Sequence, residues 1–267
     1  MYEHVVMFSG GAGSWGAARR VVDRHGPDSV ALLFADTNIE DEDLYRFLHE
    51  AAADVGGDLV ILDNDGRTPW DVFKDVRFLG NTRIAACSHK LKQEPSRAWV
   101  EEHCDPDATT LYVGIDWTEE HRLPKVKNGW APWRIEAPLC EEPFVVKAQL
   151  LDDLKARGIE PPRLYGMGFP HNNCGGGCVK AGQAHFKLLK EQMPERYDEW
   201  QTNEQELRDF LDKDVAILRD RRGGDTKPLT LAELGARIEL ERSKDSGQLS
   251  LVDTDEWGGC GCFLDEE

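Results

Sequence analysis

Wholly apolar blocks alternate along the chain with blocks of helical spacing. Val5-Val6-Met7-Phe8 is apolar at every position, as strands buried on both faces are. A glycine-rich stretch follows, and then Ala17, Ala18, Val21 and Val22 recur at the spacing of one helix face. Residues 30–34 form a second apolar run, which ends in Ala35-Asp36-Thr37. Leu44, Phe47, Leu48 and Ala51 predict a helix over 41–55, and a third strand is expected over 59–62. Residues 110–115 read as a further strand that runs into Asp116-Trp117-Thr118-Glu119-Glu120-His121-Arg122. This order predicts an α/β fold, a Rossmann-like doubly wound parallel sheet. Ligands of such sheets sit at the carboxyl ends of the strands, so residues 9–14, 35–40 and 114–122 are expected to converge.

Beyond the sheet, residues 124–143 are rich in Pro and Trp and read as a surface loop. A helix is predicted over 145–157, stopped by Gly158, and a second breaker region over 161–173 delivers the chain to Cys174. Further helices are expected over 178–191, 195–213 and 229–242. The predicted organisation is a nucleotide-binding domain over 1–190, a mostly helical extension over 191–244 and an acidic flexible tail over 245–267, which carries Cys260-Gly261-Cys262. No internal repeat is visible.

Composition narrows the function. A net charge of −18 across 267 residues disfavours broad attraction to nucleic acid or to an anionic membrane, and favours a small ligand. No apolar run approaches membrane-spanning length, and no basic region precedes the first strand, so a soluble cytoplasmic protein is expected. Seven cysteines in a cytosolic chain suggest metal binding or thiol chemistry rather than a disulfide framework.

Ser9-Gly10-Gly11-Ala12-Gly13-Ser14 lies between a strand and a helix. Backbone N–H groups of such a turn can approach an anion, and the helix dipole adds partial positive charge. Arg19 and Arg20 follow within reach of a second anionic group. Cys174-Gly175-Gly176-Gly177-Cys178 places two thiols on what reads as an open turn at the start of a helix, suited to a soft metal. His171 is an additional candidate zinc ligand. Cys104 and Cys140 are expected to be structural. The basic stretch around Arg219, Arg221 and Arg222 is either a solvated turn or an anion site, and Trp117 is placed to stack on a base.

The loop resembles the SGGxDS signature of the PP-loop ATP pyrophosphatase superfamily. Asp36-Thr37-Asn38-Ile39-Glu40 is similar to that superfamily's second-strand motif, above all in its phosphoadenosine phosphosulfate (PAPS) reductase branch. Cys87-Ser88-His89-Lys90-Leu91-Lys92-Gln93-Glu94-Pro95 looks like that branch's Cys-x-x-x-Leu-Lys-x-x-Pro segment. Gly114 to Arg122 is similar to its Gly-Ile-Arg segment, and Leu164-Tyr165-Gly166-Met167-Gly168-Phe169 to the segment before its cysteine pair. The resemblance spans about residues 4–180 in the expected order and implies an adenine nucleotide alpha hydrolase-like fold. It implies nucleotide contacts from Ser9, Gly10, Gly11, Ala12, Gly13, Ser14, Asp36, Thr37, Gly114 and Arg122.

Two departures matter. Gly13 stands where ATP-cleaving members carry Asp, which weakens the case for a magnesium ion at the phosphates. Asp116 stands where the reductases carry Arg, so another cation is required, with Lys90, Lys92, Arg122, Arg219, Arg221 and Arg222 as candidates. The resemblance further implies a [4Fe–4S] cluster held by Cys87, Cys174, Cys178 and a tail cysteine such as Cys262, with zinc as the fallback. The remaining tail cysteine, Cys260 or Cys262, would then be the nucleophile, although both serve equally well as ligands.

The implied activity is thiol-dependent reduction of a sulfonucleotide, with a thioredoxin-like donor as partner. The alternatives are ATP-dependent sulfur insertion into a nucleobase or nucleic acid, and a non-catalytic zinc- and nucleotide-binding module. A homodimer is compatible with all of these.

Overall fold

The computed structural model describes residues 2–222 and 225–243. Five parallel strands form the central sheet: β1 (His4–Met7), β2 (Val30–Ala35), β3 (Asp58–Leu62), β4 (Thr110–Tyr112) and β5 (Arg134–Glu136), in the spatial order β3-β2-β1-β4-β5. Val6 sits opposite Leu32 on one side and Tyr112 on the other. The chain winds outward from β1 in both directions, so the strand order reverses between β1 and β4. In a doubly wound sheet this is the point where a crevice opens at the carboxyl ends.

Alternate residues of β1 serve opposite layers. Val6 and Phe8 pack with the helices Ala12–His25, Glu42–Val55 and Lys147–Ala156, whereas Val5 and Met7 pack with Val100, Val126, Trp130 and Trp133. Helices on both faces explain why β2 is apolar throughout and β1 is apolar after His4. Local chemistry sets the helix ends. The Asp41 carboxylate accepts from the Asp43 N–H at 3.0 Å, and Gly56 closes the same helix in the left-handed region with φ 86°.

A third core joins Trp70 and Phe73 to Leu164, Phe169, Phe186, Tyr197, Trp200, Leu207 and Ile238. Here the helices Gln183–Gln192, Pro194–Leu211 and Leu231–Ser243 pack with Pro69–Asp75, helped by Glu204, a buried carboxylate that accepts from the N–H groups of Ile217 and Leu231 at 3.0 and 2.6 Å. The basic stretch is the antiparallel hairpin of β6 (Leu218–Asp220) and β7 (Lys227–Leu229). Asp220 draws Arg222 and Arg237 to itself there.

The structure departs from the expected elements in three places, the first being the strand expected over 110–115, which ends at Tyr112. The segment 124–143 is not a surface loop: it holds the helix Leu123–Gly129 and edge strand β5. With three residues, one of them fully inward, β5 is too short to show an alternation. The helix expected from Cys178 begins only at Gln183, after Gly182. No helix among the described residues is long and apolar enough to cross a membrane.

Candidate functional site

The crevice between β1 and β4 is a wide cavity with about 1590 Å³ of atom-free space, open solvent included. Ser9, Gly11, Gly13 and Ser14 line one side, Val113 to Asp116, Glu119 and Arg122 another, and Lys147, Tyr165, His171 and Asn172 complete the lining. Gly10 takes φ 73° to turn the chain out of the strand. A Cβ on Gly13 would stand 2.9 Å from the Gly114 carbonyl oxygen, and one on Gly114 would stand 2.7 Å from the Ser14 nitrogen. The two backbones are therefore in direct contact, and an aspartate at position 13 would require the backbone to shift. The Ser14 hydroxyl donates to the Gly11 carbonyl at 2.9 Å and lies 3.4 Å from the Ser9 hydroxyl.

The Ala12 N–H, at the start of the helix, donates to the Tyr165 hydroxyl at 3.4 Å. Burial pushes the Tyr165 phenol up to about 12, so it stays protonated at neutral pH. Arg163 fixes this segment by a two-pronged ion pair to buried Asp41, both contacts at 2.8 Å. On the opposite wall Arg122 is paired with Glu119 at 2.6 Å.

Asp36 and Thr37, expected beside the loop, do not line this cavity. Asp36 accepts from the Tyr45 hydroxyl at 2.9 Å and from the Asn38 N–H at 2.8 Å. Thr37 faces a second, smaller chamber of about 440 Å³ of atom-free space, shared with Cys87, Ser88, Lys92, Cys174, Cys178 and Trp200. The physical reason is the segment 170–174, which crosses between the carboxyl ends of β1 and β2. Asn172 pins it by donating to the Gly10 carbonyl at 3.0 Å. The site thus has two compartments with the 170–174 segment as their common wall.

The chamber is built from buried charge. Lys92 lies 3.5 Å from Glu40, which also accepts from the Thr37 hydroxyl at 2.8 Å and from the Cys174 N–H. Burial works to lower the Lys92 pKa, but the charges of Glu40 and of the Cys174, Cys178 and Cys87 thiols outweigh it and raise it. Lys92 points inward because the helical run from Ala86–Ser88 into Glu94–His103 contains a π turn over His89–Gln93, where Leu91, Lys92 and Gln93 are all buried. Pro95 explains the break: it has no N–H to offer the Leu91 carbonyl, and that carbonyl accepts from Asn64 instead at 3.0 Å.

The turn that carries Cys174 and Cys178 is neither open nor at a helix start. Gly175 has φ 59°, and a Cβ there would stand 2.6 Å from the Ile39 carbonyl oxygen; at Gly177 it would stand 2.3 Å from the Trp200 ring. The glycines answer crowding. Without a helix dipole, the thiol polarity comes from the pair itself: their mutual hydrogen bond pushes Cys178 down and Cys174 up, and the Lys180 N–H and Lys92 favour the Cys178 thiolate further.

Cys87, Cys174 and Cys178 line one chamber beside a buried ammonium, and deprotonated thiols are soft metal donors. No group of three His, Cys, Asp or Glu among the described residues could hold a single metal ion. His171, weighed as a zinc ligand, faces the large cavity instead and stacks on His185 with centroids 5.0 Å apart. Cys260 and Cys262 lie outside the described residues.

Several other expectations are redirected. Arg19 and Arg20 do not reach the cavity: Arg19 binds the Asp54 carbonyl, and Arg20 the carbonyls of Pro138, Glu141 and Pro143. Trp117 is 42% exposed and donates to the Val145 carbonyl, outside the cavity lining. Lys90 pairs with Glu94 on the surface. Cys140 donates to the Ile115 carbonyl, and Cys104 is raised by burial. Sequence reasoning missed Lys147, Asn172 and Glu40. Lys147 carries no motif, Asn172 shows its role only through a contact 162 residues away, and Glu40 was seen as a motif member without its charge partner.

No family model matches the chain, and no curated protein matches it. Among solved structures, the chain is similar to the phosphoadenylyl-sulfate (PAPS) reductase from Candida auris in its phosphate complex, at 16% sequence identity and a TM-score of 0.43, over 62% of this chain and 78% of that one.

Proposed function

We propose that the protein is an enzyme of sulfur metabolism that binds an adenine nucleotide over Ser9–Ser14 and works on it with thiol chemistry, the favoured reaction being reduction of a sulfonucleotide. The observation that carries this reading is the pairing of compartments. A glycine-loop cavity at the sheet's switch point shares a wall with a chamber into which Cys87, Cys174 and Cys178 all face. Gly13, packed against the Gly114 carbonyl, supports a sulfonucleotide over ATP cleavage, because the loop carries no carboxylate that would hold magnesium at the phosphates.

In this reaction the loop N–H groups and the Ser9 and Ser14 hydroxyls hold the nucleotide's phosphate. A tail thiolate, Cys260 or Cys262, attacks the sulfate sulfur. A sulfur–sulfur bond forms, the bond from sulfur to the bridging oxygen breaks, and the electron pair leaves with the nucleoside phosphate. A thioredoxin-like dithiol then attacks the cysteine sulfur of the S-sulfo group and releases sulfite, and its second thiol resolves the mixed disulfide. The donor supplies both electrons. Cys87, Cys174 and Cys178, with one tail cysteine, would hold a [4Fe–4S] cluster, which would supply iron–sulfur redox chemistry beside the nucleotide. Lys92 offsets the negative charge of the thiolates in the chamber.

A second reading, ATP-dependent sulfur insertion into a nucleobase or nucleic acid, is favoured by one observation: the Asp116 and Glu119 carboxylates line the cavity and are oxygen ligands of the kind magnesium takes. Zinc in place of the cluster would point instead to a nucleotide-binding module without catalysis.

The test is an anaerobic preparation of wild type and Cys174→Ser, analysed for iron, sulfide, zinc and visible absorption, followed by assay of sulfite release from adenosine 5′-phosphosulfate and its 3′-phosphorylated form with a dithiol. Expected are about four irons per chain, lost in the variant, and sulfite release that requires Cys260 or Cys262. Conversion of ATP to AMP dependent on a nucleic acid would move the assignment to the second reading. Failure of every adenine nucleotide to bind would sink both.

A further inference from the structure

The wall of the large cavity beside the glycine loop holds polar atoms that the protein itself does not satisfy. The Oδ1 atom of Asn172, whose residue is 2% exposed, has no hydrogen-bond partner, and neither does Nδ1 of His171. A buried acceptor without a donor costs stability, and both side chains line the cavity. Neither atom is open to the cavity, so what this wall offers a ligand is the charge beside them.

Lys147 stands on the same wall. It opens the helix Lys147–Ala156, its ammonium lies 4.0 Å from the centre of the Tyr165 ring, and it donates to the Pro170 carbonyl. An ammonium has three protons to offer. Among the described residues no carboxylate is in ion-pair contact with it, although Glu119 and Asp116 act on it at longer range. Tyr165, beneath it, accepts the first N–H of the glycine-loop helix, so the ammonium overlooks the end of the helix where an anion is expected. The other cation that lines the cavity, Arg122, is held by Glu119. Arg19, Arg20 and Lys92 are engaged elsewhere.

We propose that Lys147 is the cation that binds the anionic end, phosphate or sulfate, of the nucleotide held on the glycine loop. This rests on the nucleotide reading above and names the residue that confers selectivity for a charged over an uncharged ligand. Burial lowers the Lys147 pKa to about 8, and an arriving anion returns full charge to it.

The test measures binding of adenosine 5′-phosphosulfate, AMP and adenosine to the full chain at neutral pH, for wild type, Lys147→Met and Lys147→Arg. Lys147→Met is expected to weaken both charged ligands about tenfold or more, to leave adenosine within about twofold, and to be largely rescued by Arg, as loss of a charge-assisted hydrogen bond predicts. Equal weakening of all three ligands, or of none, overturns the proposal.

A second measurement needs no variant: the extent of Lys147 acetylation in the wild type, read by peptide mass, with and without inorganic pyrophosphate or AMP. Protection is expected. Protection by pyrophosphate in a protein that binds no adenine nucleotide would leave Lys147 as an anion site and remove the functional reading. Binding of AMP with Lys147 fully reactive would do the reverse.

Discussion

The two compartments of this protein are made of different material. The loop side of the large cavity is made of backbone: Gly13 and Gly114 bring main chain against main chain, with the Tyr165 and Ser14 hydroxyls beside them. The thiol chamber is made of side chains carried in from 37–40, 85–92 and 174–180, fixed on a buried ion pair between Lys92 and Glu40. A backbone site depends on the absence of atoms, so added bulk should break it. A charge-held site depends on both partners being present, so a deletion should break it.

The largest effect is expected from Lys92→Met, which leaves the Glu40 carboxylate, with 1% of its side chain exposed, buried without its cation. A loss of about 3–5 kcal/mol is expected in denaturant unfolding. Glu40→Gln in the same chain should recover much of it. A loss below about 1 kcal/mol in the single variant would show that the pair does not organise the chamber.

Next comes Gly114→Ala. Its Cβ would meet the Ser14 nitrogen at 2.7 Å and the Gly13 carbonyl carbon at 2.8 Å, so backbone must shift. About 2 kcal/mol of stability is expected to go, together with most nucleotide affinity by calorimetry. Gly166→Ala, where nothing lies within 4 Å, is the control and should change neither. Equal behaviour of the two variants would refute the backbone account.

The smallest effect is assigned to Trp117→Ala. The indole is partly exposed, packs near Phe144 at 5.8 Å and lies outside the cavity lining. Nucleotide affinity within about twofold of wild type is expected, as for surface substitutions in general. A larger loss would place the indole on the base and extend the ligand further than the loop and Lys147 require.

Sequence alone was enough wherever a feature is local. Apolar blocks gave β1 and β2, because a strand covered by helices on both faces has no polar alternation to conceal it. The glycine loop was legible because its residues are consecutive and their conformational demands are intrinsic. Two features are visible in the sequence, but their surroundings are set by distant contacts. The glycines between Cys174 and Cys178 read as openness, whereas they exist because the Ile39 carbonyl and the Trp200 ring leave no room. Asp36 and Thr37 read as neighbours of the loop, since both segments end adjacent strands, yet residues 170–174 pass between them.

What only the tertiary structure decided is which groups meet. Lys92 faces Glu40 because a proline three residues on interrupts the helix ladder and rotates the lysine inward. Asn172 reaches Gly10 across 162 residues, and Lys147 enters the cavity because its helix packs against Ala12–His25. Periodicity and turn chemistry are properties of neighbouring residues and can be read along the chain. The pairing of buried charges is a property of three-dimensional proximity, and it leaves no local pattern to read.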